Sequence, residues 1–415
     1  MPASPADLLG MVLSDHLELN RFEAGTLGRL LGILERADNE LRDRIEDFVA
    51  RGLSPQTIKF HSDLRDQVRS AYASAYGRAY GALSTDAAAI AAETAGRMGT
   101  VLEFAVAGAG VAISRPDLDV LQRLVTQQPF KGALLRDHVE KLMGNRVQAV
   151  ADQVALGVAS GEGVVPIVRR LRGTRAAGYT DGVLNLGRRQ TEALVRTTIQ
   201  HAAAEGRKAT FTENDDLVKG AFAIVTLDDR TCPICAPRDK LVWELVDGVY
   251  TPRGHGIPWD GGPGEWHWNC RCVSSPWFDD PSLDNLEGLS RAAQGGPVDA
   301  DTVYDDWLRK QPPEFQDKVL GPKRATWWRE NPKVSLGSAW AQRFGGKPVE
   351  PLAIPKPTAA VVGPKALPVL ERTIEEARVA AEASAKAAAE AAAQAAEAER
   401  VARTQELFTQ VKAKA

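Results

Sequence analysis

A mainly α-helical chain with one small β region and a detached C-terminal helix is the architecture this sequence predicts, and three observations predict it. Apolar residues recur three and four apart from Ser14 to about Ala209. β-rich runs are confined to the stretch after Asn214, beside Cys232, Cys235, His267, Cys270 and Cys272. A proline-rich stretch then separates this body from an alanine-rich end. The class is α+β, divided into an N-terminal helical region (1–135), a central domain (136–346), a Pro-rich linker (347–368) and a helical tail (369–415).

The helices follow from local pattern. Leu27, Leu30, Leu31 and Leu34 recur at helical spacing while Glu35, Arg36, Asp38 and Glu40 decorate the other faces. A second helical block runs from about Asp63 through Thr94. Its Tyr72, Tyr76 and Tyr80 stand four apart and read as a packing stripe; only Arg78 interleaves them, too little cation for a base-stacking platform. Arg136 to Leu156 predicts a third helix, stopped by Gly157 and Ser160-Gly161. Pro166 opens a short basic helix, Ile167 to Leu171. Arg169, Arg170, Arg172 and Arg175 there read as a solvated face, with phosphate contact as the alternative. The helix from about Arg188 to Ala209 carries His201 and a run of alanines suited to close packing.

After Asn214-Asp215-Asp216 the period changes. Ala221 to Thr226 is a strand, Leu241-Val242-Trp243 and Val249-Tyr250 are two more, and Asp247-Gly248 is a hairpin turn. The expected sheet is small and partly antiparallel, over residues 215 to 280.

Every cysteine of the chain lies in Cys232-Pro-Ile-Cys235 or His267-Trp-Asn-Cys270-Arg-Cys272, within residues 228–275. A C-x2-C turn aims two thiolates at one ion, and H-x2-C-x-C completes a tetrahedral shell, so the reading is a structural zinc site. Two disulfides, or cysteines that merely pack, are the alternatives. One of the five donors is spare. Cys270 and Cys272 share a face if their segment is extended, so spacing does not choose between them. A catalytic zinc would need an open position and a general base. Glu265 and His255 are near enough in sequence to suggest a zinc-dependent nuclease or hydrolase as the second reading, and Cys270 with His255 a nucleophilic pair. A closed shell of soft ligands is the default.

Composition narrows the setting. At 415 residues with 44% apolar content the chain can hold two or three domains with real cores. Met1-Pro-Ala-Ser-Pro-Ala-Asp has no basic start followed by an apolar run, so no secretory signal is expected, and Phe104 to Ile113 is too short for a membrane span. A net charge of −3 argues against wholesale coating of nucleic acid while leaving room for a local basic patch.

Asp229-Arg-Thr-Cys-Pro-Ile-Cys-Ala236 after a helix and a strand, then His267-Trp-Asn-Cys-Arg-Cys272, resembles the phage Mu F-like minor head proteins, the phage head morphogenesis family. Tyr304-Asp-Asp-Trp307-Leu-Arg-Lys-Gln-Pro312, Phe315, Val319-Leu-Gly321 and Arg324 are similar to the segment that follows the cysteine motif there. The resemblance covers about residues 140 to 345; Trp268 stands where the family commonly has proline. It implies a minor capsid protein of a tailed bacteriophage or prophage, in the virion head near the portal, assembled in the host cytoplasm. Portal, scaffold or coat proteins are the implied partners, with contact to packaged DNA a further reading.

The end of the chain is a different material. Pro348, Pro351, Pro355, Pro357, Pro364 and Pro368 prescribe an extended linker. Glu371 to Lys412, without Gly or Pro, favours one long helix, helped by Glu382 with Lys386 and Glu399 with Arg403. The helix is expected to be solvated, with a thin coiled coil as the alternative, and to reach a partner in the head.

Overall fold

The computed structural model describes residues 5–50, 58–107, 111–284 and 289–341. The linker and tail expected at 347–415 lie outside the described residues. Two long helices, α1 (Pro5–Ala50) and α2 (Ile58–Ala105), form an antiparallel hairpin. Thr26 bonds Asp86, Tyr72 bonds Asp38 and Arg44 bonds Ser70, so one helix rises in number as the other falls. Leu30, Leu34, Leu41 and Ile45 from α1 meet Leu64, Val68, Tyr72 and Leu83 from α2 in the largest core. Each such side chain, fully buried, contributes roughly 1.5–3 kcal/mol. The tyrosine stripe is packing, with Tyr72 and Tyr76 buried and Tyr80 half-buried.

Onto this hairpin pack α3 (Leu118–Gln127), α4 (Leu135–Ala159), α5 (Val164–Arg172) and α6 (Val183–Thr212). Packing runs without a break through residue 135, where the sequence reading drew a boundary: Arg146 of α4 is buried against Asp38 of α1, and Arg207 of α6 against Asp15. All described residues belong to one compact unit, Met1–Pro351. The closest approach between α2 and α6 requires Gly206. A Cβ built there would fall 2.4 Å from the Ala91 carbonyl oxygen, so the alanines of both helices are there to let the backbones meet. In the basic stretch after Pro166, Arg170 pairs with Glu162 and Arg172 stacks over Tyr179 at 4.8 Å.

The sheet follows α6. Its order is β3-β2-β1-β4, with β1 (Gly220–Ile224), β2 (Val242–Val246), β3 (Val249–Pro252) and β4 (Val273–Trp277). Every pairing in it is antiparallel, where the sequence suggested a partly antiparallel arrangement. Asp247 and Gly248 both take positive φ, 50° and 76°, the twist a two-residue hairpin needs. β1 is buried along its whole length and pairs with β4 from Gly220↔Trp277 to Ile224↔Val273.

Beyond the short α7 (Pro281–Asp284) comes a second hairpin, β5 (Ser290–Ala293) with β6 (Gly296–Asp299). Four short helices close the described chain: α8 (Tyr304–Arg309), α9 (Pro313–Leu320), α10 (Pro322–Glu330) and α11 (Leu336–Ala341). Their Tyr304, Trp307, Leu320 and Trp328 form one core with Cys235, Cys270 and Cys272. Among the described residues no helix is long and apolar enough to cross a membrane.

Candidate metal centre

Two backbone turns bring the five donors together. After β1 the chain turns through Asp228, whose carboxylate accepts from both Nη atoms of Arg271 at 2.6 and 2.8 Å and whose carbonyl accepts from the Tyr304 hydroxyl at 2.7 Å. This fixes the entry to the first clasp. The amides of Cys235 and Ala236 both donate to the Cys232 carbonyl at 3.1 Å, a tight turn that leaves the two sulfurs side by side. In the second clasp the Cys270 amide donates to the His267 carbonyl at 3.2 Å. Asn269 takes φ 60°, a left-handed conformation that asparagine tolerates, and its amide donates to Thr197 Oγ1 of α6 at 3.0 Å. The second clasp is thereby tied to the helical body.

His267 Nε2 lies 3.1 Å from Cys232 Sγ and 3.0 Å from Cys235 Sγ, and Cys235 Sγ lies 3.8 Å from Cys270 Sγ. The ligand atoms of Cys232, Cys235 and His267 are all within 4.8 Å of one another, as are those of Cys235, Cys270 and Cys272. Cys235 belongs to both sets and is the centre of the group. All four cysteines are free thiols, so the disulfide reading is not the arrangement adopted. His267 Nδ1 sits 2.7 Å from the Trp268 carbonyl, to which it donates. That bond orients the ring so that Nε2 faces the sulfurs, the usual arrangement of a metal-binding histidine. The cluster can hold a metal ion.

Its electrostatics are those of a proton-loaded ligand set. A hydrogen bond from Cys235, with a second from His267, pulls the Cys232 thiol down to about 4 against the cost of burial. Burial alone would lower His267; its bonds to Cys232 and Cys270 outweigh that and raise it to about 10. Without an ion the imidazolium and thiolate compensate each other, and a metal must displace that proton on binding.

The carboxylate and histidine suggested as catalytic bases are engaged elsewhere. His255 faces the Val242 carbonyl at 2.8 Å and packs edge-on against Trp243. Glu265 is buried against α6, where it pairs with Lys208 at 2.7 Å and with His201 Nδ1, while Lys131 reaches its backbone carbonyl. Lys208 also pairs with Glu205. His201, Glu205 and Glu265 lie close enough to hold an ion, but the Lys208 ammonium already supplies the cation there. Sequence reasoning singled out His201 without a role. Its spacing from Glu205 and Lys208 on one helical face was a signal; the partner Glu265, in a distant loop, was not.

No family model, curated protein or solved structure matches the chain.

Proposed function

We propose that this chain is a minor head protein of a tailed bacteriophage or prophage, and that a zinc ion held by Cys232, Cys235, His267 and Cys270 clamps its β module. The observation that carries the clamp is the convergence of five soft donors in two sets that share Cys235, Cys232–Cys235–His267 and Cys235–Cys270–Cys272, with no carboxylate in either. The 3.8 Å separation of Cys235 and Cys270 matches the edge of a tetrahedron with Zn–S bonds of about 2.3 Å. Cys270, at that distance from Cys235, is the proposed fourth ligand, and Cys272, in the same group with Cys235 and Cys270, the spare thiol. Such an ion contributes on the order of 10 kcal/mol to folding. An enzymatic zinc would need a general base beside it, and Glu265 and His255 spend their hydrogen bonds elsewhere.

The head assignment rests on the ordered phrases from Asp229 to Cys272 and from Tyr304 to Arg324, which resemble those of the Mu F-like proteins. Their packing into one core gives those two phrases a shared structural reason. On this reading the protein works near the portal during assembly, with portal, scaffold or coat as its partner. Two measurements test it. Zinc content of the purified chain should be about one per chain, retained in Cys272→Ser and lost in Cys235→Ser; a metal-free wild type would sink the clamp. Purified heads should contain the protein, and deleting it should reduce head yield or infectivity. Normal infectious heads without it would sink the assembly role.

A further inference from the structure

The residues alternating with the second clasp's cysteines build a different surface. Along Asn269-Cys270-Arg271-Cys272-Val273 the sulfurs face the cluster, while Asn269, Arg271 and Val273 line a cavity of about 740 Å³ on the other side. From Cys270 to Val273 that is the period of two expected of a segment leading into a strand, and Asn269 joins the same lining from the turn before it. Arg196 from α6 and Arg230 from the loop after β1 enter the same cavity, and Glu23 is the one carboxylate among its lining residues.

The charges do not cancel. Arg196 is matched by Glu23 at 2.8 Å, Arg271 by Asp228 at 2.6 Å, and Arg291, also in the lining, by Asp239 at 3.1 Å. Arg230 is left over. Its guanidinium comes no nearer than 3.8 Å to Asp228, which is already taken by Arg271, and its side chain is 73% exposed. Asn269 Oδ1 accepts from Arg196 at 3.5 Å, which directs the amide NH2 of Asn269 away from Arg196.

We propose that this cavity binds a phosphate monoester of nucleotide size. The guanidinium groups of Arg196, Arg230 and Arg271, from three separate segments, offer the planar, forked donors that match phosphate oxygens. The surplus charge belongs to the arginine that is free to swing in. The volume lies in the range of small-ligand sites. Ile224 and Val273 give an apolar wall for the rest of the ligand, and among the described residues no aromatic ring lines the cavity, so recognition is through the phosphate rather than by stacking a base. The phosphate belongs either to a free nucleotide or to the 5′ end of a nucleic-acid strand. This inference does not depend on the head assignment.

The test is calorimetric titration of the full chain with adenosine monophosphate, inorganic phosphate, and a ten-nucleotide single strand with and without a 5′ phosphate. Saturable binding of the monophosphate is expected, with inorganic phosphate competing. Arg230→Ala, at an exposed position that leaves folding intact, should weaken it about ten- to a hundredfold. Ala292→Trp, exposed at the cavity wall, should block it without changing charge. Binding of the phosphorylated strand but not the unphosphorylated one would identify a strand end; binding of the mononucleotide without either strand would identify a free nucleotide. Absence of saturable binding at millimolar concentrations overturns the proposal. So would unchanged affinity in both variants, or measurable and equal binding of the two strands.

Discussion

Asp239→Ala should be among the most damaging single substitutions away from the cysteines. The Asp239 carboxylate accepts from Arg291 Nη1 at 3.1 and 3.2 Å, from the Val225 amide at 3.0 Å and from the Tyr304 amide at 2.9 Å. It thus joins the end of β1, the β5–β6 hairpin and the start of α8. Both charged side chains are almost wholly out of water, at 2% exposure for Arg291 and 1% for Asp239. Removing one partner of a buried pair costs about 3–5 kcal/mol, and each backbone N–H left without an acceptor costs about 1–3 kcal/mol more. These losses share one site and do not simply add. A total of about 5 kcal/mol or more is expected, a large share of what holds a typical domain folded. Asp239→Asn keeps an acceptor oxygen and the shape but not the charge, so it should fall between wild type and Ala. Urea unfolding followed by fluorescence would read it, because Trp307 and Trp328 are buried in the adjoining core. A loss below about 1 kcal/mol for Asp239→Ala, with an unchanged denaturant slope, would refute the reasoning.

Lys240 is pushed down to about 8 by burial and by Arg291, and its Nζ is buried with no hydrogen-bond partner. From pH 8 to its ordinary 10.5 the unfolded chain binds more protons than the folded one, so this group makes stability rise with pH across that window. Lys240→Met should therefore be the more stable protein at neutral pH, with its advantage shrinking above pH 8; a pH-independent difference in melting temperature would contradict this. Gly206→Val would drive a side chain into the Ala91 carbonyl and should cost about 1–3 kcal/mol by thermal unfolding, with Gly206→Ala milder. An unchanged melting temperature would show that α2 and α6 can separate freely. With metal removed by chelation, the His267 contribution is full below 6.5 and lost as pH rises through about 10; that of Cys232 is present above 9.0 and lost as pH falls through about 4. The metal-free chain should melt highest between pH 4 and pH 10, and a maximum outside that range would argue against the imidazolium–thiolate pair.

What was legible in the sequence is what depends on local period. Leu30, Leu34 and the tyrosines at 72 and 76 announced their helices because one face of each had to be apolar. Asp247-Gly248 announced its hairpin because few other residues accept positive φ. The five donors announced themselves by spacing. β4 did not, because Val273-Ser-Ser-Pro-Trp277 is buried on both faces and carries no alternation to read. The signal for the β5–β6 hairpin, Gly295-Gly296, lies among other small residues and does not stand out from them. Asp239 and Arg291 look like surface charges in any one-dimensional reading; only the fold reveals that they bury each other. The same holds for Glu265, which seemed a candidate base from its place near His267 and is an ion-pair anchor to α6.

β1 and β4 are adjacent strands, and the clasps stand just after one and just before the other. Everything from Val225 to Cys272 is consequently a single excursion whose neck is pinched shut at its root. The two ends of a pinched excursion feel only weakly how far the chain wanders between them, since the entropic cost of closing the neck grows with the logarithm of loop length, about 0.6 kcal/mol per doubling. The β2–β3 tip, with Val246 and Val249 exposed, is therefore a place where length and shape can drift in evolution, or be replaced by an engineer's insert, without disturbing the body that carries it.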